Sequence, residues 1–442
     1  MIHDLVIVGG GFAGLCLLTH LDEARVSGSV AMLEPAGALP AGVAYATCRP
    51  EHLLNVRARR MGLLHSAPEG YAHWLAGAEG AAAAARWGAP TDARAFTPRG
   101  LYREYLAAQA RALALPFVLI AAHAGAIHQE VAAWRIETTQ GPIRARQIAL
   151  CTGLALRRQR SAPASYAEDP ARLDYDAVAR AAGRDSVCVV LGTALSALDA
   201  LASLDEAGWP GRIVLVSRDG RFPEPHDESG VALAPDPALA AIADPGARLI
   251  ALLRQARAMG APWQAAVDAL RPDTPALWRA LPDKAKARLV ARWGDRWNRL
   301  RHRAPGESLN RAQRWIDTGK AEVLTGCIET IGDAGVQVRL AGGVRDIPAE
   351  LVIEARGLAS AWRDNPLLAQ LVADGVAAPG PLGWGLAADA GGVIATAPFG
   401  AIFGIGPVLL GAAYETTGAP EIRAQAASLA TMLARRGADA TR

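Results

Sequence analysis

The apolar positions fall into short runs punctuated by glycine, and one pattern occurs twice. Leu5-Val6-Ile7-Val8 is a continuous apolar run of the kind buried in a parallel sheet. A glycine-rich turn follows from Gly9, helical spacing continues through Leu21, and Val30 to Leu33 is a second strand-like run. The unit returns at Ser186 to Leu191, with Gly192 after it, a predicted helix over Ser196 to Glu206 and a strand over Arg212 to Ser217. Residues 76–86 are rich in Ala and Gly and predict a surface helix or loop. A helix is expected over Leu101 to Leu115, and strands over Val131 to Thr138 and Arg144 to Leu150. From about 235 to 320 the character changes to helical periodicity rich in Ala, Arg and Trp, a predicted helical insertion. Strand-like segments resume at Ala321–Leu324, Val336–Leu340 and Leu351–Glu354, and Arg423 to Arg435 predicts a closing helix.

Length and composition narrow the classes. At 442 residues the chain exceeds a single simple core, and half of it is hydrophobic. A net charge of +3 gives no electrostatic footprint for nucleic acid or an acidic membrane. No charge-free apolar stretch reaches membrane-spanning length, and Met1 leads straight into a strand with no cationic leader. The five cysteines, Cys16, Cys48, Cys151, Cys188 and Cys327, form no CxxC pair and no zinc spacing. The expectation is a cytoplasmic protein without metal or redox-active disulfide, its oligomeric state left open to a homo-oligomer.

Gly9, Gly11 and Gly14 form G-x-G-x-x-G between strand and helix. Gly9 permits the tight turn, Gly11 lets backbone approach a pyrophosphate, and Gly14 lets helix and strand close up. Phe12 and Ala13 complete the helix N-terminus, whose free N–H groups and dipole favour an anion. Glu34 ends the next strand, where a carboxylate accepts ribose hydroxyls and repels a 2′-phosphate. The site therefore favours FAD or NAD over NADP.

Gly42-Val43-Ala44-Tyr45-Ala46-Thr47 followed by His52-Leu53-Leu54-Asn55-Val56 resembles a bacterial group of FAD/NAD(P)-binding flavoproteins of G-x-A-Y-x-T and H-L-L-N-V type. That group is related to the class B flavoprotein monooxygenases and amine N-hydroxylases. Further blocks resemble it in order: Pro98-Arg99 with Tyr102 and Tyr105, Gly192-Thr193 with Asp199, Ser217-Arg218 with Gly220 and His226, His302-Arg303 with Pro305, and Gly406-Pro407 with Glu415 to Arg423. The resemblance implies an α/β fold of the glutathione-reductase-like kind, with two Rossmann-like dinucleotide-binding domains. The FAD domain would be discontinuous, residues 1–180 and 345–442. Residues 181–344 would form an NAD(P)-binding-like domain holding the insertion. FAD would lie on the first fingerprint, with Asn55, Val56, Gly153, Gly406 and Pro407 around it. For His52 and Asn55, a loop side chain satisfying backbone stands beside a direct flavin contact.

The second fingerprint departs from the pattern. Ala194 occupies the glycine position where backbone meets pyrophosphate. Ser217 and Arg218, after the next strand, suit a 2′-phosphate and point to NADPH. A structural remnant is the alternative. Glu354-Ala355-Arg356-Gly357 replaces a neutral turn, as an ion pair or as a change to the flavin or substrate surroundings. The basic cluster Arg292, Arg296, Arg299, Arg301 and Arg303 with Trp293 and Trp297 is either a solvated helix face over core tryptophans or a wall in which Arg303 meets an acidic substrate. The implied chemistry is hydride transfer from NADPH to flavin and oxygen transfer from O2 to a small molecule, an amine or amino acid nitrogen among the candidates, in a pocket that excludes water. A flavin oxidase or dehydrogenase without NADPH, and a non-catalytic flavin-binding partner, are the other readings.

Overall fold

The computed structural model describes residues 1–440 apart from 154, 156, 158–162, 164 and 358, and describes no side chains beyond 435. The first part of the chain contributes strands β1 (Ile2–Val8), β2 (Val30–Leu33), β3 (Phe117–Ile120), β4 (Ala124–Gln129), β5 (Trp134–Thr138) and β6 (Ile143–Leu150). The middle contributes β7 (Tyr166–Ala167), β8 (Val187–Leu191), β9 (Arg212–Ser217), β10 (Ala321–Thr325) and the hairpin strands β11 (Cys327–Gly332), β12 (Gly335–Leu340) and β13 (Gly343–Pro348). Strands β14 (Leu351–Glu354), β15 (Val393–Ala397) and β16 (Gly400–Gly404) close the series.

Among the described residues these strands make three sheets. The first runs β15-β16-β6-β1-β2-β3, with β4 and β5 joined to it through β6. Its central strands are parallel, and β1 is buried from Leu5 to Val8, as its unbroken apolar run requires. The second sheet runs β10-β9-β8-β14-β7 and is parallel throughout. The third is an antiparallel meander, β11-β12-β13. Helix α1 (Phe12–Glu23) links β1 to β2, and α2 (Leu195–Glu206) links β8 to β9 in the same way.

Several sequence expectations shift. Tyr166–Ala167 and Leu351–Glu354 lie in the second sheet, although the boundaries at 180 and 345 assigned them to the first domain. A four-residue buried run such as β14 fits either parallel sheet, and only long-range pairing decides between them. The strand expected from Val131 starts at Trp134, because Glu130 and Ala133 close a turn that leaves Val131 fully exposed. The helix expected to reach Leu115 spans Arg99–Arg111, and Asp22 takes the N–H of Leu115 instead. Strands β11 and β13, cut by glycines, were not expected at all.

The insertion holds helices between 245 and 317, including α3 (Asp283–Arg301), around a small apolar core of Leu233, Leu252, Ala266 and Leu270. Its tryptophans divide: Trp278 and Trp315 are buried, whereas Trp293 is 46 % exposed beneath the guanidinium groups of Arg292 and Arg296. Trp293 is therefore a surface residue rather than a core one. The closing helix α4 (Ala419–Ala440) buries Ile422, Ala426 and Leu429 in the core shared with α1.

Candidate dinucleotide-binding sites

The first turn is built by contacts that only glycine tolerates. Gly9 has φ +106°, and a Cβ there would sit 2.5 Å from the Cys151 carbonyl oxygen. A Cβ on Gly14 would sit 1.9 Å from the Gly9 carbonyl oxygen. Gly11 differs: it caps α1 at φ −71° and ψ −167°, ordinary extended backbone, and a Cβ there would come no nearer than 3.5 Å to protein. Its bare Cα keeps space open for something other than this chain, as a pyrophosphate needs. Phe12 and Ala13 are buried in the first helical turn, which has no side-chain cap. Glu34 is 9 % exposed and accepts from the Gly10 N–H at 2.8 Å and the Ala36 N–H at 3.0 Å. This fastens the carboxylate beside the glycine turn.

The strand end opposite turns through Gly153 at φ +68° with open space around it. Next to it the Thr152 hydroxyl is buried without a partner, an orphan a ligand would satisfy. Gly406, at φ +76°, lies against the start of α1, its missing Cβ 3.7 Å from that of Ala13, and Pro407 follows it in the same turn. Gln425 fixes this turn by accepting the Gly406 N–H at 2.7 Å. Gly9, Gly11, Phe12, Ala13, Gly14, Glu34 and Gly406 thus converge on one helix N-terminus, and the space, donor set and orphaned hydroxyl fit a dinucleotide.

His52 goes elsewhere. It is 2 % exposed, with Nδ1 2.8 Å from the Thr47 hydroxyl and Nε2 2.8 Å from the hydroxyl of Ser203 on α2. Ser203 in turn donates to Glu51 at 2.8 Å. Burial pushes the imidazole down to about 4, so it is neutral near pH 7. Arg99 pairs with Asp199 at 2.8 Å, and Arg49 with Asp176 at 3.1 Å. Together they form a polar seam that joins residues 47–52 and Arg99 to α2 and to the helix Tyr175–Ala181. Asn55 is half-buried and accepts through its backbone carbonyl from His226 Nε2 at 2.9 Å, while Val56 packs against the first core.

The second turn repeats the first with changes. Gly192 has φ +121°, and a Cβ there would sit 2.7 Å from the Ala355 carbonyl oxygen. Ala194 caps α2 at φ −84° and ψ −165°, nearly the conformation of Gly11, so alanine costs no backbone strain. Thr193 Oγ1 is 2.7 Å from the Arg221 carbonyl and 3.0 Å from Ser217 Oγ, which accepts the Gly220 N–H at 3.0 Å. Arg218 is exposed and pairs with Asp295 of α3 at 2.6 Å. An exposed pair of this kind is weak, and a phosphate competes with it readily. The Glu354–Gly357 turn lies here, against Gly192, and Glu354 and Arg356 form the ion pair that was one of its two readings.

Arg303 is 4 % exposed and pairs with Asp268, turned into the insertion rather than into an open wall. Its neighbour Arg301 belongs to a buried network. Arg301 Nε donates to Glu415 at 3.0 Å and Nη2 to Glu421 at 3.2 Å, Arg271 holds Glu421 at 2.5 and 2.9 Å, and Trp297 donates to Glu415 at 2.7 Å. Burial works to raise the Glu421 carboxyl, but Arg271 and Arg301 hold it at about 2. The network pins α3 to the start of α4, beside a cavity of about 430 Å³ lined by Arg60, Arg271, Arg279 and Gln425. Sequence reasoning missed the seam and this network because both join segments far apart in the chain. Among the described residues no cluster suits a metal ion, and no helix is long and apolar enough to cross a membrane.

Residues 6–155 match a family model described as FAD-NAD(P)-binding. No curated protein matches. Among solved structures the chain is similar to the ornithine N-hydroxylase of Kutzneria sp. 744, at 17 % identity and TM-score 0.64 over 99 % of this chain and 100 % of that one. The ornithine hydroxylase of Pseudomonas aeruginosa matches at 14 % identity and TM-score 0.66 over 98 % and 99 %. The bacillithiol disulfide reductase of Bacillus cereus matches at 12 % identity and TM-score 0.58 over 99 % and 100 %. The chain has the α/β fold of these proteins over nearly its whole length, and residues 6–155 carry the FAD-NAD(P)-binding pattern.

Proposed function

We propose that the protein is an FAD- and NADPH-dependent monooxygenase that acts on a small molecule, with N-hydroxylation of an amine or amino acid as its reaction. The observation that carries this reading is the doubled turn: Gly11 and Ala194 cap their helices in the same conformation, each beside a turn that only glycine can make. Two dinucleotide sites in one chain suit a nicotinamide donor and a flavin acceptor. Bound FAD supplies hydride acceptance and, once reduced, reactivity toward O2.

The chain's own residues do the rest. Gly9, Gly11, Phe12, Ala13 and Gly14 present the α1 N-terminus to the FAD pyrophosphate, and Glu34 takes the ribose. Asn55, Val56, Gly153, Gly406 and Pro407 border the remainder. Gly192 and Thr193 shape the NADPH turn, and Ser217 with Arg218 reads the 2′-phosphate. The FAD unit is drawn from both ends of the chain, and the NADPH unit between them takes in β7 and β14.

Amine hydroxylases and disulfide reductases share this fold. The cysteines favour the hydroxylase reading. All five are unpaired, and burial pushes the thiols of Cys16, Cys151 and Cys188 upward, which suits inert packing rather than dithiol exchange. A small substrate, O2 and a cytoplasmic setting without nucleic acid or membrane complete the reading.

The test is anaerobic mixing of FAD-loaded protein with NADPH and, separately, NADH, followed at about 450 nm where oxidised flavin absorbs. Rapid bleaching by NADPH, then amine-dependent hydroxylamine formation in air, is the expected result. Absence of bleaching by either nucleotide removes the nicotinamide half of the reading, and failure to take up FAD removes all of it.

A further inference from the structure

The two units correspond residue by residue in the sheet register. Val8 pairs with Leu150 and Gly9 abuts Cys151; Leu191 pairs with Glu354 and Gly192 abuts Ala355. Cys151-Thr152-Gly153 therefore corresponds to Ala355-Arg356-Gly357, and the two glycines share a left-handed backbone, φ +68° and +84°. Where the first unit has Leu150 and Thr152, the second has Glu354 and Arg356.

This pair stands at a meaningful place. The second sheet's order, β10-β9-β8-β14-β7, changes direction between β8 and β14. Ligands of open α/β sheets bind in the crevice outside the carboxyl ends of the strands at that point. Glu354 and Arg356 sit at the end of β14, on the rim of this crevice. A buried carboxylate there repels a diphosphate unless it is neutralised.

It is neutralised, and with an ordered geometry. Glu354 is 4 % exposed and accepts from Arg356 Nε at 2.9 Å, from Arg356 Nη2, from the Arg356 N–H at 2.9 Å and from the Tyr166 hydroxyl at 2.8 Å. The carboxylate holds one edge of the guanidinium. The other nitrogen, Nη1, has no carboxylate partner among the described residues, and the side chain remains 33 % exposed. An arginine fixed in this way is pre-organised to give charge-assisted hydrogen bonds to phosphate oxygen. Meanwhile Ala194 places a methyl where backbone would otherwise come close to a diphosphate.

We propose that Arg356 is a phosphate-binding residue of the second site, which engages the dinucleotide diphosphate and replaces the close backbone approach that Ala194 gives up. This rests on the reading that the second unit binds NADPH.

The test titrates the FAD-loaded protein with NADP+, a probe that cannot reduce the flavin, by calorimetry. Arg356→Ala alone would strand Glu354 as an unpaired buried charge. The informative variants are therefore Arg356→Lys and the double change Glu354→Leu/Arg356→Thr, which copies the first unit. The double variant is expected to bind NADP+ about ten- to a hundredfold more weakly, with a shallower salt dependence, while FAD content and melting temperature hold. Arg356→Lys is expected to fall between it and the parent, because the charge stays but the fork is lost. A double variant that binds NADP+ as tightly as the parent, or more tightly, overturns the proposal while leaving the NADPH reading intact. A parent that binds no NADP+ overturns both.

Discussion

Ala194→Gly removes one methyl from the cap of α2 and, on this structure, changes nothing else. The Ala194 backbone is already within about 13° of Gly11 in φ, so glycine relieves no strain. Helix capping tolerates glycine better than alanine, so α2 does not weaken. The effect should therefore fall on the ligand alone. An N–H···O bond to a phosphate oxygen needs about 2.9 Å, whereas a methyl carbon and its neighbour settle at about 3.5–4.0 Å. The methyl thus holds the diphosphate off by roughly half an ångström or more and costs about one charge-assisted hydrogen bond, ~1.5–3 kcal/mol. Ala194→Gly is expected to tighten NADP+ binding by about ten- to a hundredfold. The mirror change, Gly11→Ala, meets no protein atom closer than 3.5 Å and should leave the fold intact while weakening FAD retention by a similar factor. Calorimetric titration of the first variant and flavin-to-protein absorbance of the second measure both. If Ala194→Gly binds NADP+ within twofold of the parent, or if Gly11→Ala keeps FAD as tightly as the parent, the account of the two caps is refuted.

Three other outcomes follow from packing and charge. Arg301→Met leaves Glu415 buried and short of its cation, at a cost of about 3–5 kcal/mol; a thermal melt should fall by about three to five degrees for a chain of this length, and an unchanged melt would count against the network. Ser203→Ala removes the hydroxyl shared by His52 and Glu51, at a cost of about 1–3 kcal/mol of stability in denaturant titration, and a variant as stable as the parent would show that the seam is not stressed. Burial pushes His52, His226 and His302 from 6.5 down to about 4, so their contribution to stability is full above about pH 6.5 and is lost as pH falls toward 4. His302→Gln should flatten part of that slope, and a urea midpoint constant from pH 7 to 4 in the parent would exclude the mechanism.

Both glycine turns were legible because each is local: strand, turn and helix lie within one short stretch, and Glu34 closes the first at a fixed spacing. Ala194 and Arg356 were visible as departures for the same reason. His52 was not legible as a seam residue, since its partner Ser203 lies 151 positions away and only the packing of α2 brings the two together. Arg303 shows the limit of charge patterning. A run of arginines on α3 and just beyond it predicts an exposed face, yet Arg301 and Arg303 are buried because carboxylates from Glu415, Glu421 and Asp268 meet them. Glu354 was noticed as an ion-pair candidate, but its place depended on which sheet β14 would join.

The pairing of β16 with β6 has a consequence for how the chain is made. On a ribosome, β6 emerges early and finds β1 and β5, but its last residues, Ile148 to Leu150, lack their outer neighbour until residue 404 has been synthesised. The second sheet is complete once Glu354 is out. The later sheet in the sequence therefore closes first, and the earlier one waits with the end of β6 open along its outer edge, a surface prone to pair with other chains. Nascent chains stalled before β15 are the ones most exposed to aggregation, and cofactor uptake at the first turn becomes a late event of biogenesis.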